Sequence, residues 1–216
     1  MKKQTVVTLS AVALLLAFAA GAWWFQGYQA EKVGRLARES ASTLVPDHAM
    51  SVGPKTARVV IVEFFDPACE TCASLHKPVE RLVAAYPGRV RHVLRYAPFH
   101  HGSDLAVKIL EASRKQGKYW ETLELLFTSQ QRWTKHHKVL PDMIWPLLPQ
   151  VGLDVDRIRS DITDSALDTL IEQDLADAAT LGIRKTPGFL VNGKPLPSFG
   201  LKQLWDLVES EIAANY

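Results

Sequence analysis

Cysteine is scarce in this chain, with two residues in 216. That excludes a secreted scaffold stapled by several disulfides. An excess of either charge is also missing. With 25 basic against 23 acidic residues the formal net charge is +2, which gives no electrostatic case for a nucleic-acid partner. Internal repeats, low-complexity tracts and nucleotide, haem or flavin motifs are absent as well. What remains is ordinary globular composition, 47% hydrophobic and 22% charged. That excludes a largely disordered chain and a many-span membrane protein.

One long apolar run is present, at the start. Lys2 and Lys3 precede an uncharged stretch to Ala30 whose apolar centre is Val6 to Phe25. As a helix this centre is about 30 Å long, enough to cross the hydrocarbon core. Two readings compete. A cleaved signal peptide would use Ala20-Gly21-Ala22 as its small-residue site. An uncleaved anchor fits the full length better, with Trp23, Trp24 and Phe25 as an interfacial belt. Lys2 and Lys3 favour a cytoplasmic start, although Lys32, Arg35 and Arg38 blunt the asymmetry. Residues 1–30 are therefore read as a membrane anchor or signal segment, preferably one transmembrane helix, with the rest of the chain exported. Residues 31–55, of mixed charge and then rich in Ser, Pro and Gly, read as a stalk.

Residues 56–216 read as one domain. Val59-Val60-Ile61-Val62, continued by Glu63-Phe64-Phe65, predicts a buried central strand. Asp66-Pro67 breaks it. A helix is expected from about Cys69 to Tyr86, kinked at Pro78 and stopped by Pro87-Gly88. Val90 to Tyr96 is the next strand, completing a βαβ unit. A helical block follows at about 102–181, with stripes at Leu105, Ile109 and Leu110, at Tyr119, Trp120, Leu123 and Phe127, and at Leu167, Leu170, Ile171, Leu175 and Ala178. Then Phe189-Leu190-Val191 is a strand, Asn192-Gly193 a hairpin turn, Lys194 to Ser198 the partner strand, and Leu201 to Ile212 a final helix.

The two cysteines are three residues apart, as Cys69-Glu70-Thr71-Cys72, and open the first helix of the βαβ unit. A CxxC so placed is a thioredoxin-like redox signature. Helix N-terminal amides stabilise a thiolate. The first cysteine is expected to sit exposed at the helix mouth, and the second, one turn on, can reach it. A purely structural disulfide closing so short a loop would remove little chain entropy. Glu63 interrupts an apolar strand, where a carboxylate is costly to bury unless it has a task. Passing protons to and from Cys72 would be such a task. Asp66 reads as a turn residue. His76 reads as a solvated helix position, and His100-His101 and His136-His137 as surface loop residues.

Two stretches, Glu63 to Cys72 and Thr186-Pro187-Gly188-Phe189-Leu190-Val191-Asn192-Gly193-Lys194, carry a resemblance. In them the sequence resembles the DsbA-like branch of the thioredoxin superfamily, over about residues 56–214. The resemblance implies an α/β thioredoxin-like fold (βαβ…ββα) with an inserted helical domain, and an exported protein disulfide oxidoreductase. It implies Cys69 as the attacking cysteine, Cys72 as the resolving one, Glu63 as the buried acid and Pro187 as a cis-proline. Thr186 and Pro187 would present a backbone edge to extended segments of exported proteins. Glu70, Thr71 and Lys185 would tune the redox poise, because the family's strongest oxidant has Pro-His between its cysteines. No cofactor is expected beyond the redox-active Cys69–Cys72 pair. Implied partners are client proteins and a membrane redox partner. The implied location is the bacterial inner membrane, single pass, with the catalytic domain in the periplasm. Two alternatives stay open. One is a reductase or isomerase kept reduced by a membrane electron donor. The other is a copper carrier, because Cys69, Cys72 and His76 share a helix face and could hold a soft ion.

Overall fold

Seven consecutive β-branched, acidic and aromatic residues, Val59–Phe65, form the strand at the centre of the sheet, and only Val60 among them is not fully buried. The computed structural model describes the backbone of residues 2–39 and 44–216, leaving undescribed the side chains at 2–8, 10, 26, 29, 30 and 32–39. In chain order the elements are α1 (Lys2–Glu39), β1 (Met50–Val52), β2 (Val59–Phe65), α2 (Glu70–Ala85) and β3 (Val90–Tyr96). The inserted block follows: α3 (Ser103–Arg114), α4 (Tyr119–Thr128), α5 (Gln130–Trp133), a hairpin of β4 (Thr134–Lys135) and β5 (Lys138–Val139), α6 (Pro141–Ile144), a 3-10 turn (Trp145–Val151), α7 (Val155–Asp161) and α8 (Ser165–Thr180). The chain closes with β6 (Gly188–Val191), β7 (Lys194–Pro195) and α9 (Leu201–Asn215).

The main sheet runs β1-β3-β2-β6-β7. β2 pairs in parallel with β3 from Val59↔Val90 to Phe65↔Tyr96. On its other side it pairs antiparallel with β6, Glu63 lying opposite Phe189. Side-chain alternation sends Val59 and Ile61 to one face, where Val79 and Leu82 of α2 and Leu204 and Val208 of α9 cover them. Val62 and Phe64 point to the opposite face, against Ala178 of α8 and Leu181. Each such fully buried apolar side chain contributes about 1.5–3 kcal/mol. Phe65, at the strand end, belongs instead to the core of the insertion, with Ile109, Leu110, Leu123, Leu126 and Trp133. That same cluster includes Cys69 and Cys72, so the insertion packs directly onto the CxxC turn.

Several expectations need correction. Part of the expected stalk belongs to the domain: β1 pairs with β3 at Met50↔Leu94, and Leu44 is buried. The helical block contains the β4–β5 hairpin. The return strand stops at Pro195, because Pro195 and Pro197 carry no N–H to extend the ladder. Along α8 the buried residues are Leu167, Ile171, Asp174 and Ala178, while Leu170 and Leu175 are only half-buried.

Among the described residues no helix is long and apolar enough to cross a membrane. The stretch Val6–Phe25 expected to do so is helical throughout, but the side chains of Val6, Val7, Thr8 and Ser10 lie outside the described set. So do those of Lys2, Lys3, Lys32, Arg35 and Arg38, on which the orientation argument rests, and residues 40–43 of the expected stalk.

Candidate active site

Asp66-Pro67 ends β2, and the chain turns into α2 with Cys69 as its N-cap residue. The turn is built by Asp66. Its carbonyl oxygen accepts the Cys69 N–H at 3.0 Å, and one carboxylate oxygen accepts the Ala68 N–H at 2.8 Å. Cys69 is therefore presented at a helix N-terminus, where amides favour an anion.

Both cysteines are free thiols. Cys69 is covered more than the sequence suggested, at 6% exposure, because the segment before β6 lies over it: its thiol donates to the Thr186 carbonyl oxygen at 3.3 Å. Cys72 is at 0%, so Cys69 is the less covered of the two thiols. The Thr186–Pro187 peptide is cis. The next residue, Gly188, admits no side chain, since a Cβ there would lie 2.6 Å from Ile183 Cγ2.

The two thiols are driven apart electrostatically. The Cys72 thiol hydrogen-bonds Cys69 and is the largest influence bringing the Cys69 pKa down to about 6. Burial opposes this, while the Thr186 side chain and the backbone amides of Cys72 and Thr71 support it. Cys72 is pushed well above the ordinary thiol range, first by burial, then by its bond to Cys69 and by the charge of Glu63. Cys69 thus carries the lower thiol pKa of the pair and buried Cys72 the higher.

Glu63 is buried beneath them at 4% exposure and contacts His92 Nε2 through one carboxylate oxygen at 2.8 Å. His92, also buried, was not singled out in the sequence. It lies on β3 two positions along from the residue paired with Glu63. Asp66 is more than a turn residue. It is fully buried, and its carboxylate also accepts the Ser103 hydroxyl, the His100 N–H at 2.8 Å and His100 Nδ1 at 2.7 Å. One carboxylate thereby ties the CxxC turn to the start of the insertion, and His100 is anchored rather than a free loop residue.

Among the described residues Cys69, Cys72 and His76 do not come together as a three-donor set. Among the described residues the donor atoms close enough to share an ion are those of His76, Glu80 and Glu124, with neither cysteine. Lys77 already bridges both carboxylates, at 3.0 and 2.7 Å. Glu70, Thr71 and Lys185 are exposed around the pair. Glu70 occupies the first helical position, where its negative charge opposes a neighbouring thiolate. Glu70→His is therefore expected to make the pair more oxidising by roughly 15–30 mV, read by equilibration with a glutathione series.

A family model described as Thioredoxin matches residues 46–209. A thioredoxin-like oxidoreductase from Silicibacter pomeroyi is 31% identical and superposes with a TM-score of 0.68, covering 78% of this chain and 95% of that one. BdbD from Bacillus subtilis (22% identity, TM-score 0.66, 76% and 92% covered) and the catalytic domain of Proteus mirabilis ScsC (22%, 0.68, 83% and 98%) share the fold. Among curated relatives, a Na(+)/H(+) antiporter NhaA from Herminiimonas arsenicoxydans is 32% identical over 144 residues, 67% of this chain and 22% of that protein. The chain thus spans about a fifth of the length of the curated relatives it matches. The chain belongs to the thioredoxin family.

Proposed function

We propose that this chain is a membrane-tethered, extracytoplasmic oxidase of protein thiols, acting through Cys69 and Cys72. The observation that carries the reading is the placement of the pair, Cys69 at the mouth of α2 against the Thr186 carbonyl and Cys72 fully buried behind it, an arrangement that lowers the Cys69 pKa to about 6 and pushes Cys72 the other way. A stabilised thiolate stabilises the reduced protein, which makes the disulfide form oxidising, and a low-pKa thiol is also the better leaving group. A client thiolate attacks Cys69 Sγ of the Cys69–Cys72 disulfide. The S–S bond breaks, and Cys72 leaves with the electron pair and takes a proton through the Glu63 side of the site. A second client thiolate then attacks the client sulfur of the mixed disulfide and expels Cys69 as a thiolate. Two electrons and two protons have left the client, which gains a disulfide. The backbone at Thr186 and Pro187 steadies the extended client segment. A membrane redox partner reoxidises the pair.

The depressed Cys69 pKa also sets a pH window. The stability it lends the reduced fold is complete above the ordinary thiol range and is lost as pH falls through about 6.

The anchor is α1. Leu14, Leu15, Leu16 and Phe18 are 66–79% exposed on it, and apolar side chains without protein cover call for lipid. The occurrence of this domain within proteins named as antiporters supports a place beside a membrane. Two experiments test the proposal on the full-length protein. Cell fractionation should leave it in the membrane pellet through salt and carbonate washes, and release of a species starting at Trp23 would contradict the anchor. Oxidised protein should insert a disulfide into a reduced dithiol peptide, and failure to do so would contradict the activity.

A further inference from the structure

The β4–β5 hairpin is a basic arm fastened to the CxxC turn. Gln130, just before it, donates through Nε2 to the Pro67 carbonyl at 2.9 Å, two residues from Cys69. β5 is held from the other side, where the Val139 N–H reaches the His101 carbonyl at 3.0 Å and Lys138 bridges His101. At its tip the His137 ring stacks on His100 with centroids 5.6 Å apart and planes at 28°, and His100 Nδ1 contacts buried Asp66 at 2.7 Å. The tip residues His136 and His137 both have positive φ, 49° and 60°, a conformation that glycine and asparagine adopt far more easily.

The fastened arm carries charge of one sign. Arg132, Lys135, His136, His137 and Lys138 are all exposed. Lys77, Lys108, Lys115 and Lys118 each pair with a carboxylate, whereas Arg132, Lys135 and Lys138 pair with none among the described residues. Unpaired charges on a rigid rim raise the local concentration of oppositely charged ligand and the rate of encounter. Resting on the exchange reading above, we propose that the arm recognises clients, favouring segments with acidic residues a few positions from the reacting cysteine.

The test uses the oxidised full-length chain in detergent and three dithiol peptides alike except for flanking Glu, Gln or Lys. In each reaction the peptide's two thiols become a disulfide and the Cys69–Cys72 disulfide becomes two thiols. At low salt the Glu peptide should react about tenfold faster than the Lys peptide, the gap closing at high salt. Lys135→Glu with Lys138→Glu should reverse the order while leaving oxidation of dithiothreitol, an uncharged dithiol, unchanged. Equal rates for the three peptides, with dithiothreitol oxidised normally, would overturn the arm's role alone. Failure to oxidise dithiothreitol as well would overturn the exchange reading and this inference with it.

Discussion

Cys72→Ala is expected to accumulate covalent complexes with client proteins, all through Cys69, whereas Cys69→Ala should trap almost none. The asymmetry follows from access and charge. Cys69 is the less covered thiol and the thiolate, while Cys72 is fully buried and protonated. Without Cys72 a mixed disulfide on Cys69 has no internal thiol to release it. Without Cys69 the remaining thiol is neither reachable nor ionised, so exchange should fall by about three orders of magnitude or more. Alkylation at acid quench, followed by non-reducing electrophoresis and mass spectrometry, reads both outcomes. Equal trapping by the two variants would show that the roles are not divided. Cys72→Ala should also raise the Cys69 pKa, since the Cys72 hydrogen bond is the largest influence lowering it.

The second large effect is on stability. Asp174, on α8, is fully buried. It accepts Arg95 Nε at 2.9 Å and the Tyr96 N–H at 2.7 Å, and contacts His48 Nε2 at 2.7 Å. Arg95 is itself fully buried on β3 and also pairs with Asp177 at 2.6 Å. Burial pushes the Asp174 carboxyl up, but the bonds from His48, Arg95 and Tyr96 and the guanidinium charge together hold it below the usual carboxylate range. Asp174→Ala leaves a buried cation short of its partner, and the expected loss is about 3–5 kcal/mol in denaturant unfolding. The sign with pH follows from the depressed value. The contribution is complete above the unfolded carboxylate's pKa of about 3.9 and is lost as pH falls through the folded one. A loss under about 1 kcal/mol would show that the network is not holding α8 to the sheet.

The chemistry of the site was more legible in the sequence than its support. CETC after a β-branched strand and Thr-Pro before a second strand are local signals, each readable from a few residues. Glu63 stood out because it broke an apolar run. Asp174 left a comparable mark, lying on the Leu167, Ile171, Ala178 stripe of α8. Its meaning depended on Arg95, which β3 carries 79 positions earlier, and no local pattern joins the two. Asp66 was hidden by an ordinary role, since Asp-Pro is a common turn and only the fold brings His100 and Ser103 to its carboxylate. β1 and the β4–β5 hairpin were too short to show a period. The second also turns on two histidines, where the familiar hairpin signal is Asn-Gly.

The proposed exchange rests on one property, a Cys69 thiolate at neutral pH beside a protonated Cys72. Ultraviolet thiolate absorbance of the reduced full-length protein, followed against pH, measures it directly. The expected result is a one-thiol transition centred near pH 6 that vanishes in Cys69→Ser. A reduced protein with no thiolate transition until the ordinary thiol range, or one whose low-pH transition survives in Cys69→Ser, would contradict it.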